Sequence, residues 1–249
     1  MKEVDIDEKH KILLEIMLDI DRFCRENNVL YTISAGTMLG AVRHGGFIPW
    51  DDDADLFMLR EDFDRFLKIY RSDRFHLLHK TDSKDEYMAS GFIKISDPET
   101  FVDSRRTRSK FGVSVDIFPL DAVPVNPKEQ REFMHKVMSA HNRLHHRQLR
   151  DIVSIIKSYR HSTQWWWDRV YQLTHSGRYD DSPMVAQVIG TDNYRTILDK
   201  KCFDNLIDYD FEGHKFLGIA NAHEYLTMLY GADYMTPKKW AHSYKIYRQ

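Results

Sequence analysis

The sequence predicts an α+β protein, a mixed sheet flanked by helices in residues 1–125 followed by a mainly helical portion in 126–249. Three observations carry this expectation. Helical and strand-length apolar patterns alternate through the first 125 residues. Strand patterns fade and long helical ones begin beyond Asn126-Pro127. Gly and Pro are scarce, 11 and 7 in 249 residues, yet Gly36, Gly40, Gly45 and Gly46 fall together with Pro49 close behind, so tight turns or close backbone approach are needed there.

The elements follow in order. Leu13, Ile16, Met17, Ile20 and Cys24 recur at helical spacing, which predicts an amphipathic helix from about Glu8 to Glu26. Val29 to Ser34 reads as a short strand, and Met38 to Arg43 as a short helix opened by the Gly36-Thr37 turn. Asp53 to Leu59 has a strand's length, and Phe63, Phe66, Leu67 and Tyr70 mark a helix over Glu61 to Tyr70. Phe92 to Ile95, Thr100 to Asp103 and Gly112 to Phe118 read as strands, the last closed by Pro119 and Pro124. Beyond the boundary near residue 125, Phe133, Val137, Ala140 and Leu144 predict a helix over Lys128 to Arg150. The division expected is a core at 1–125 that carries the chemistry and a helical subdomain at 126–249 on the acceptor side or in support.

Composition excludes several classes. Lys and Arg number 36 against 38 Asp and Glu, a net charge of −2, whereas a general nucleic-acid binder is usually strongly basic. With 42% hydrophobic and 13% aromatic residues a packed core is expected rather than disorder. Cys24 and Cys202 are too few for a disulfide framework or a cysteine zinc site. No apolar run approaches the roughly 18 residues of a membrane span, and the acidic start Met1-Lys2-Glu3-Val4-Asp5 is unlike a signal peptide. The expectation is a cytoplasmic protein. Residues 131–160 are basic, and read first as a solvated helix, with an anionic glycolipid or the inner face of the membrane as the alternative partner.

The chemistry concentrates in residues 34–55. On an extended segment Asp51, Asp53 and Asp55 project from one face, and like charges so close are costly without a cation. Oxygen-only ligands suit Mg²⁺, or Mn²⁺, which also takes substrate phosphates. The run leads directly into apolar Leu56-Phe57-Met58-Leu59, which argues against a merely solvated acidic turn. Gly36-Thr37 opens a helix, whose N-terminal N–H groups suit a phosphate, although a simple N-cap is the plainer reading of a Gly-Thr pair alone. A third acid is wanted from a neighbouring strand. Asp116, flanked by Val115 and Ile117, supplies it, whereas Asp121 after Pro119 is expected in a turn.

Other site classes fail on the letters. The dinucleotide glycine fingerprint is absent, and Gly40 to Gly45 lacks the Lys-Ser/Thr of a P-loop. An EF-hand fails at Leu56 and Asp62, which stand where Gly and a bidentate Glu are required. A glycosyltransferase Asp-X-Asp at Asp53-Ala54-Asp55 would need a longer nucleotide-binding half before it than the 52 residues present. His141 and His145 read as a polar helix face rather than a metal pair. Trp165-Trp166-Trp167 read as core or interface packing, with a cage for a quaternary ammonium as the alternative.

Taken together, Gly36-Thr37-Met38-Leu39-Gly40-Ala41-Val42-Arg43-His44, Phe47-Ile48-Pro49-Trp50-Asp51-Asp52-Asp53-Ala54-Asp55 and Asp116-Ile117-Phe118-Pro119-Leu120-Asp121 resemble the LicD family. That family transfers phosphocholine or related phospho-alcohols from CDP-activated donors to glycans and includes the fukutin-related ribitol-phosphate transferases. The resemblance covers about residues 8–124 and returns weakly at Phe211-Glu212-Gly213 and Glu224 to Thr236. Departures are Ala35, where Gly is common, and Ala54, where a bulkier aliphatic is usual. It implies a nucleotidyltransferase-like fold, with Mg²⁺ on Asp53 and Asp55, Asp51 assisting, and Asp116 completing the site or acting as base. It further implies that Gly36, Thr37, Arg43 and Lys94 meet the donor phosphates, with an ordinary exposed strand lysine as the alternative for Lys94. The expected partners are a CDP-alcohol and a glycan or lipid-linked glycan, with no nucleic acid. The alternatives carried are a nucleotidyltransferase that releases pyrophosphate from an NTP and a non-catalytic nucleotide-binding protein.

Overall fold

The computed structural model describes residues 2–82, 87–102, 111–146, 152, 153, 156, 159–190, 195–239 and 245–248. Its first long element is α1 (Ile6–Asn27), opened by Asp5, whose carboxylate accepts from the Glu8 N–H at 2.9 Å, and closed by Asn28 in the left-handed region. Leu13, Ile16, Met17, Ile20 and Cys24 are buried on one face, as their spacing requires.

The main sheet has seven strands. β2 (Thr32–Ile33), β3 (Ala54–Leu59), β7 (Ser114–Ala122), β5 (Tyr87–Ser96) and β4 (His76–Asp82) lie side by side in that order. β8 (Met184–Ala186) continues beside the end of β7, and β9 (Ile197–Asp199) pairs with β8. β3 and β7 are parallel, and the other pairs are antiparallel. Helices α2 (Ala35–His44) and α3 (Arg60–Ile69) flank β3 in sequence. β4 lies in a stretch, His76-Leu-Leu-His-Lys-Thr-Asp82, without clean alternation, and the sequence gives no warning of it.

Two expectations are corrected here. Pro119 does not close β7, which runs through to Ala122. Pro119 faces Met58 of β3 on one side, and on the other the pairing with β5 has already ended at Ile117↔Ile93, so the missing N–H costs no ladder bond there. Asp121 is therefore on a strand and not in a turn. It is buried, and the Arg60 guanidinium grips it with two bonds of 2.7 and 3.0 Å.

The C-terminal portion is not mainly helical. Beside α4 (Pro127–His146), α5 (Thr163–Thr174) and α6 (Ala222–Tyr230) it holds β8, β9, β10 (Leu206–Phe211), β11 (His214–Ile219) and β12 (Ile246–Arg248). β10 and β11 form a hairpin whose two-residue turn, Glu212-Gly213, takes φ of +50 and +77. β12 lies between β1 (Lys2–Glu3) and β6 (Thr100–Val102), so the last strand is tied to the first.

The buried side chains form two clusters. One joins α1, α2 and the main sheet to Phe211, Phe216, Tyr225, Leu226 and Leu229, so the C-terminal hairpin and α6 share the core of the first 125 residues. The second gathers Phe133, Met134 and Val137 of α4 with Trp166, Trp167 and Val170 of α5 and Val188. Trp166 and Trp167 thus pack in a core while Trp165 stays exposed, and His141 is buried rather than part of a polar face. No helix among the described residues is long and apolar enough to cross a membrane.

Candidate active site

The parallel pairing of β3 with β7 sets Asp55 directly beside Asp116, and the antiparallel pairing of β5 with β7 sets Lys94 beside Asp116 on the other side. Residues in register on adjacent strands project to the same face. Asp55, Asp116 and Lys94 therefore form a row across three strands. The Lys94 ammonium holds both Asp116 oxygens, at 2.5 and 2.6 Å, and also lies over the rings of Phe111 (4.7 Å) and Phe92 (5.3 Å). Asp121, five positions on, faces the opposite side of β7, away from this row.

The three consecutive acids are divided among three tasks. Asp51 is buried, and one of its oxygens lies 2.5 Å from where a Cβ on Gly36 would stand, so only glycine lets the carboxylate so close to the start of α2. Asp52 is held at 2.6 Å by Lys9 of α1, both side chains being largely buried. Asp53 is exposed. Asp55 heads β3: its N–H donates to the Thr37 hydroxyl at 2.8 Å and its carbonyl accepts from the Ser34 N–H at 2.9 Å, which staples the Gly-Thr turn to the acid strand.

Electrostatics follow from this crowding. Burial, then the charges of Asp53, Asp116 and Asp51, push the Asp55 carboxyl well above the usual carboxylate range, opposed only by Lys94. Burial also raises the Asp116 carboxyl, with Lys94 pulling the other way. Arg43, at the end of α2, donates from Nη1 to the Tyr234 carbonyl at 2.8 Å, while its Nη2 is buried with no hydrogen-bond partner among the described residues. Burial lowers its pKa, and Tyr230 and Asp51 counteract that. No group of three His, Cys, Asp or Glu among the described residues is gathered tightly enough to hold a metal as it stands. Lys94 already takes both oxygens of Asp116, and Asp52 is turned away to Lys9.

The residues that shape this row are those of a known family, for residues 28–158 match LicD/FKTN/FKRP, nucleotidyltransferase domain. The chain belongs to this family. Along nearly its whole length it is similar to the lipopolysaccharide cholinephosphotransferase LicD of Haemophilus influenzae, 27% identical over 255 residues that cover 94% of this chain and 93% of that protein. Shorter matches are to two uncharacterized Rickettsia proteins. RT0683 of Rickettsia typhi is 43% identical over 28% of this chain and 23% of its own, and RP689 of Rickettsia prowazekii is 48% identical over 20% and 19%.

Several residues that frame this LicD-family site come from outside the motifs. His10 of α1 meets the Asp51 carbonyl at 2.7 Å and stacks on Phe47 at 4.4 Å, so α1 clamps the acid run through both His10 and Lys9. Glu212, at the hairpin turn, accepts from the Phe47 N–H at 3.0 Å and donates its own N–H to the Gly45 carbonyl at 2.8 Å. A Cβ on Gly46 would fall 2.1 Å from the Glu212 carboxylate. The weak resemblance at Phe211-Glu212-Gly213 thus has a physical basis, since the turn docks on the glycine loop. Tyr225 of α6 accepts from the Ala35 N–H at 2.9 Å, capping the first orphan donor of α2.

Ala35 itself takes φ of +43, a left-handed conformation that disfavours a Cβ by about 1–2 kcal/mol. It stands where the family resemblance leads one to expect Gly. Ala35→Gly is expected to raise stability by about 0.5–1 kcal/mol after the added chain entropy of Gly is deducted. A rise in the urea midpoint with unchanged slope checks this, and a fall contradicts the strained backbone.

Proposed function

We propose that this LicD-family protein is a Mg²⁺-dependent transferase that moves phosphocholine or a related phospho-alcohol from a CDP-activated donor to a hydroxyl of a cell-surface glycan, of lipopolysaccharide, teichoic acid or capsule type, releasing CMP. The observation that carries the reading is the row of Asp55, Asp116 and Lys94 on three neighbouring strands beside exposed Asp53. The similarity to a cholinephosphotransferase along nearly the whole chain supports the choice of donor.

The donor set fits a hard divalent cation. Every candidate ligand is a carboxylate oxygen, and burial together with mutual repulsion raises the Asp55 carboxyl, a load that a bound cation relieves. Asp53 and Asp55 would hold Mg²⁺, or Mn²⁺, with Asp51 behind them. Bound there, the ion supplies charge neutralisation for the donor diphosphate. Asp116, with both oxygens on Lys94, is read as the anchor that aims this ammonium at the diphosphate. Arg43, with a buried and unpartnered Nη2, and the Gly36-Thr37 start of α2 are read as further phosphate contacts. An acceptor hydroxyl oxygen then forms a bond to the phosphorus bearing the alcohol while the bond from that phosphorus to the CMP oxygen breaks. The hydroxyl proton passes to a carboxylate of the cluster, and CMP departs with the electron pair.

The test is a donor panel. Purified protein with Mg²⁺ is offered CDP-choline, CDP-ribitol, CDP-glycerol, CTP and UDP-sugars, with and without glycan acceptors, and nucleotide products are followed by chromatography. CMP from one CDP-alcohol is the expected result and names the donor. Pyrophosphate from CTP would make the protein a nucleotidyltransferase, a reaction the family's domain description also accommodates. No turnover with any donor and acceptor would favour a nucleotide-binding role.

A further inference from the structure

The end of the α4–α5 pair carries an unusual surface. Ile152, Val153 and Ile156 are helical and 75, 58 and 60% exposed, and Tyr159 and Trp165 are 69 and 42% exposed. Positions 152, 153 and 156 lie on one side of a helical turn. The other large exposed apolar residues are scattered, so this concentration is distinctive among the described residues. All but Trp165, near the start of α5, belong to the stretch that links the C-terminal end of α4 to the N-terminal end of α5. Those two ends meet: the Arg143 guanidinium lies over the Trp166 ring at 5.3 Å, and Trp165 stacks on His161 at 3.7 Å.

The charge of the stretch of sequence that carries this apolar group is one-sided. Between residues 143 and 169 stand Arg143, Arg147, Arg150, Lys157, Arg160 and Arg169 against Asp151 and Asp168, a net +4 in a chain whose total is −2, so the remainder is −6. Exposed Ile and Val, with exposed Tyr and Trp, in a stretch of sequence rich in cations match the chemistry of a segment lying in the headgroup layer of an anionic bilayer. Aliphatic side chains enter the acyl boundary, aromatic rings sit at headgroup level, and Arg and Lys meet lipid phosphates. An acidic protein partner would use the cations but offers less reason for a run of exposed aliphatic side chains.

We propose that this protein docks reversibly on anionic membrane surfaces through the segment that joins α4 to α5, with Ile152, Val153, Ile156 and Trp165 inserted and exposed Arg160 on lipid phosphates. The inference is independent of which group the active site transfers. It is tested by sedimentation of the full-length protein with vesicles of equal parts phosphatidylglycerol and phosphatidylcholine, and with phosphatidylcholine alone. Binding is expected to the first and not the second, and to fall as salt is raised. The double variant Ile152→Ser/Ile156→Ser, altered only at exposed positions, should bind about tenfold or more weakly with an unchanged thermal melt, and Arg160→Glu should weaken binding while leaving Trp165 in place. Absence of binding to the anionic vesicles overturns the proposal, as does binding that the double variant leaves intact. So would a wild-type dimer in sedimentation velocity that the double variant dissociates, which would make the surface a subunit interface.

Discussion

Asp55→Asn is expected to abolish the proposed transfer, by about a thousandfold or more, and to leave the protein as stable as before or more so. Both halves follow from the same observation. Asp55 is pushed well above the usual carboxylate range by burial and by Asp53, Asp116 and Asp51, so its ionised form burdens the fold. The sign is fixed by that direction. Below the pKa of the unfolded chain, near 4, Asp55 is protonated in both states and carries no penalty. As pH rises toward the folded-state value the unfolded chain ionises first, and stability is lost. Asparagine removes this burden while removing a charge the proposed chemistry requires. The melting temperature of Asp55→Asn should therefore equal or exceed that of the wild type near pH 7, with the difference shrinking toward pH 4. A variant that keeps near-normal turnover would contradict the assignment, and one that unfolds would show that Asp55 serves the fold.

Asp121→Ala has the opposite profile. The Arg60–Asp121 pair is bidentate, with Asp121 1% exposed, and the chain of contacts continues from Arg60 to Asp64 and from Asp64 to His175 at 2.9 Å. These contacts tie β7 and α3 to α5, joining the two buried clusters. Removing Asp121 strands a largely buried guanidinium, at a cost of about 3–5 kcal/mol, which in a chain of this size lowers the melting temperature by roughly 10 °C or more. Activity per folded molecule, measured well below that transition, should be retained, because Asp121 faces away from the row of Asp55, Asp116 and Lys94. A double change to Asp121→Leu/Arg60→Met should recover much of the loss. An Asp121→Ala variant that melts normally but has lost turnover would place Asp121 in the site instead.

What the sequence disclosed, and what it withheld, divides along the range of the interactions involved. Asp116 stood out in the sequence because it is flanked by apolar residues on a strand, where a charge needs a partner, and Asp55 because the acid run leads into an apolar strand, whereas Lys94 was suggested only by the family resemblance. α1 was readable because its apolar positions keep a helical period over many turns. The division of labour within Asp51-Asp52-Asp53 was not readable. An extended segment would have put Asp51, Asp53 and Asp55 on one face, but the strand begins only at Ala54, and partners elsewhere in the chain decide where the acids point. Those partners are remote: Lys9 is 43 residues from Asp52, Glu212 165 residues from Phe47, and Tyr225 190 residues from Ala35. The mainly helical C-terminal expectation failed because β8, β9 and β12 are three residues each, too short for a period. β10 and β11 did carry a signal in the Glu212-Gly213 turn, weaker than Asn-Gly but of the same physical origin.

We propose that this LicD-family site transfers a phospho-alcohol with Asp53 and Asp55 at its centre. The most direct measurement is CMP release from CDP-choline by wild type and Asp53→Ala in parallel, each with Mg²⁺ and with EDTA, in the presence of a phosphocholine-accepting glycan. CMP and phosphocholine-labelled glycan are expected in equal amounts from the wild type with Mg²⁺, and neither with EDTA or with the variant, whose melting curve is unchanged. Equal CMP release by wild type and a folded Asp53→Ala, or release that EDTA does not affect, would contradict it.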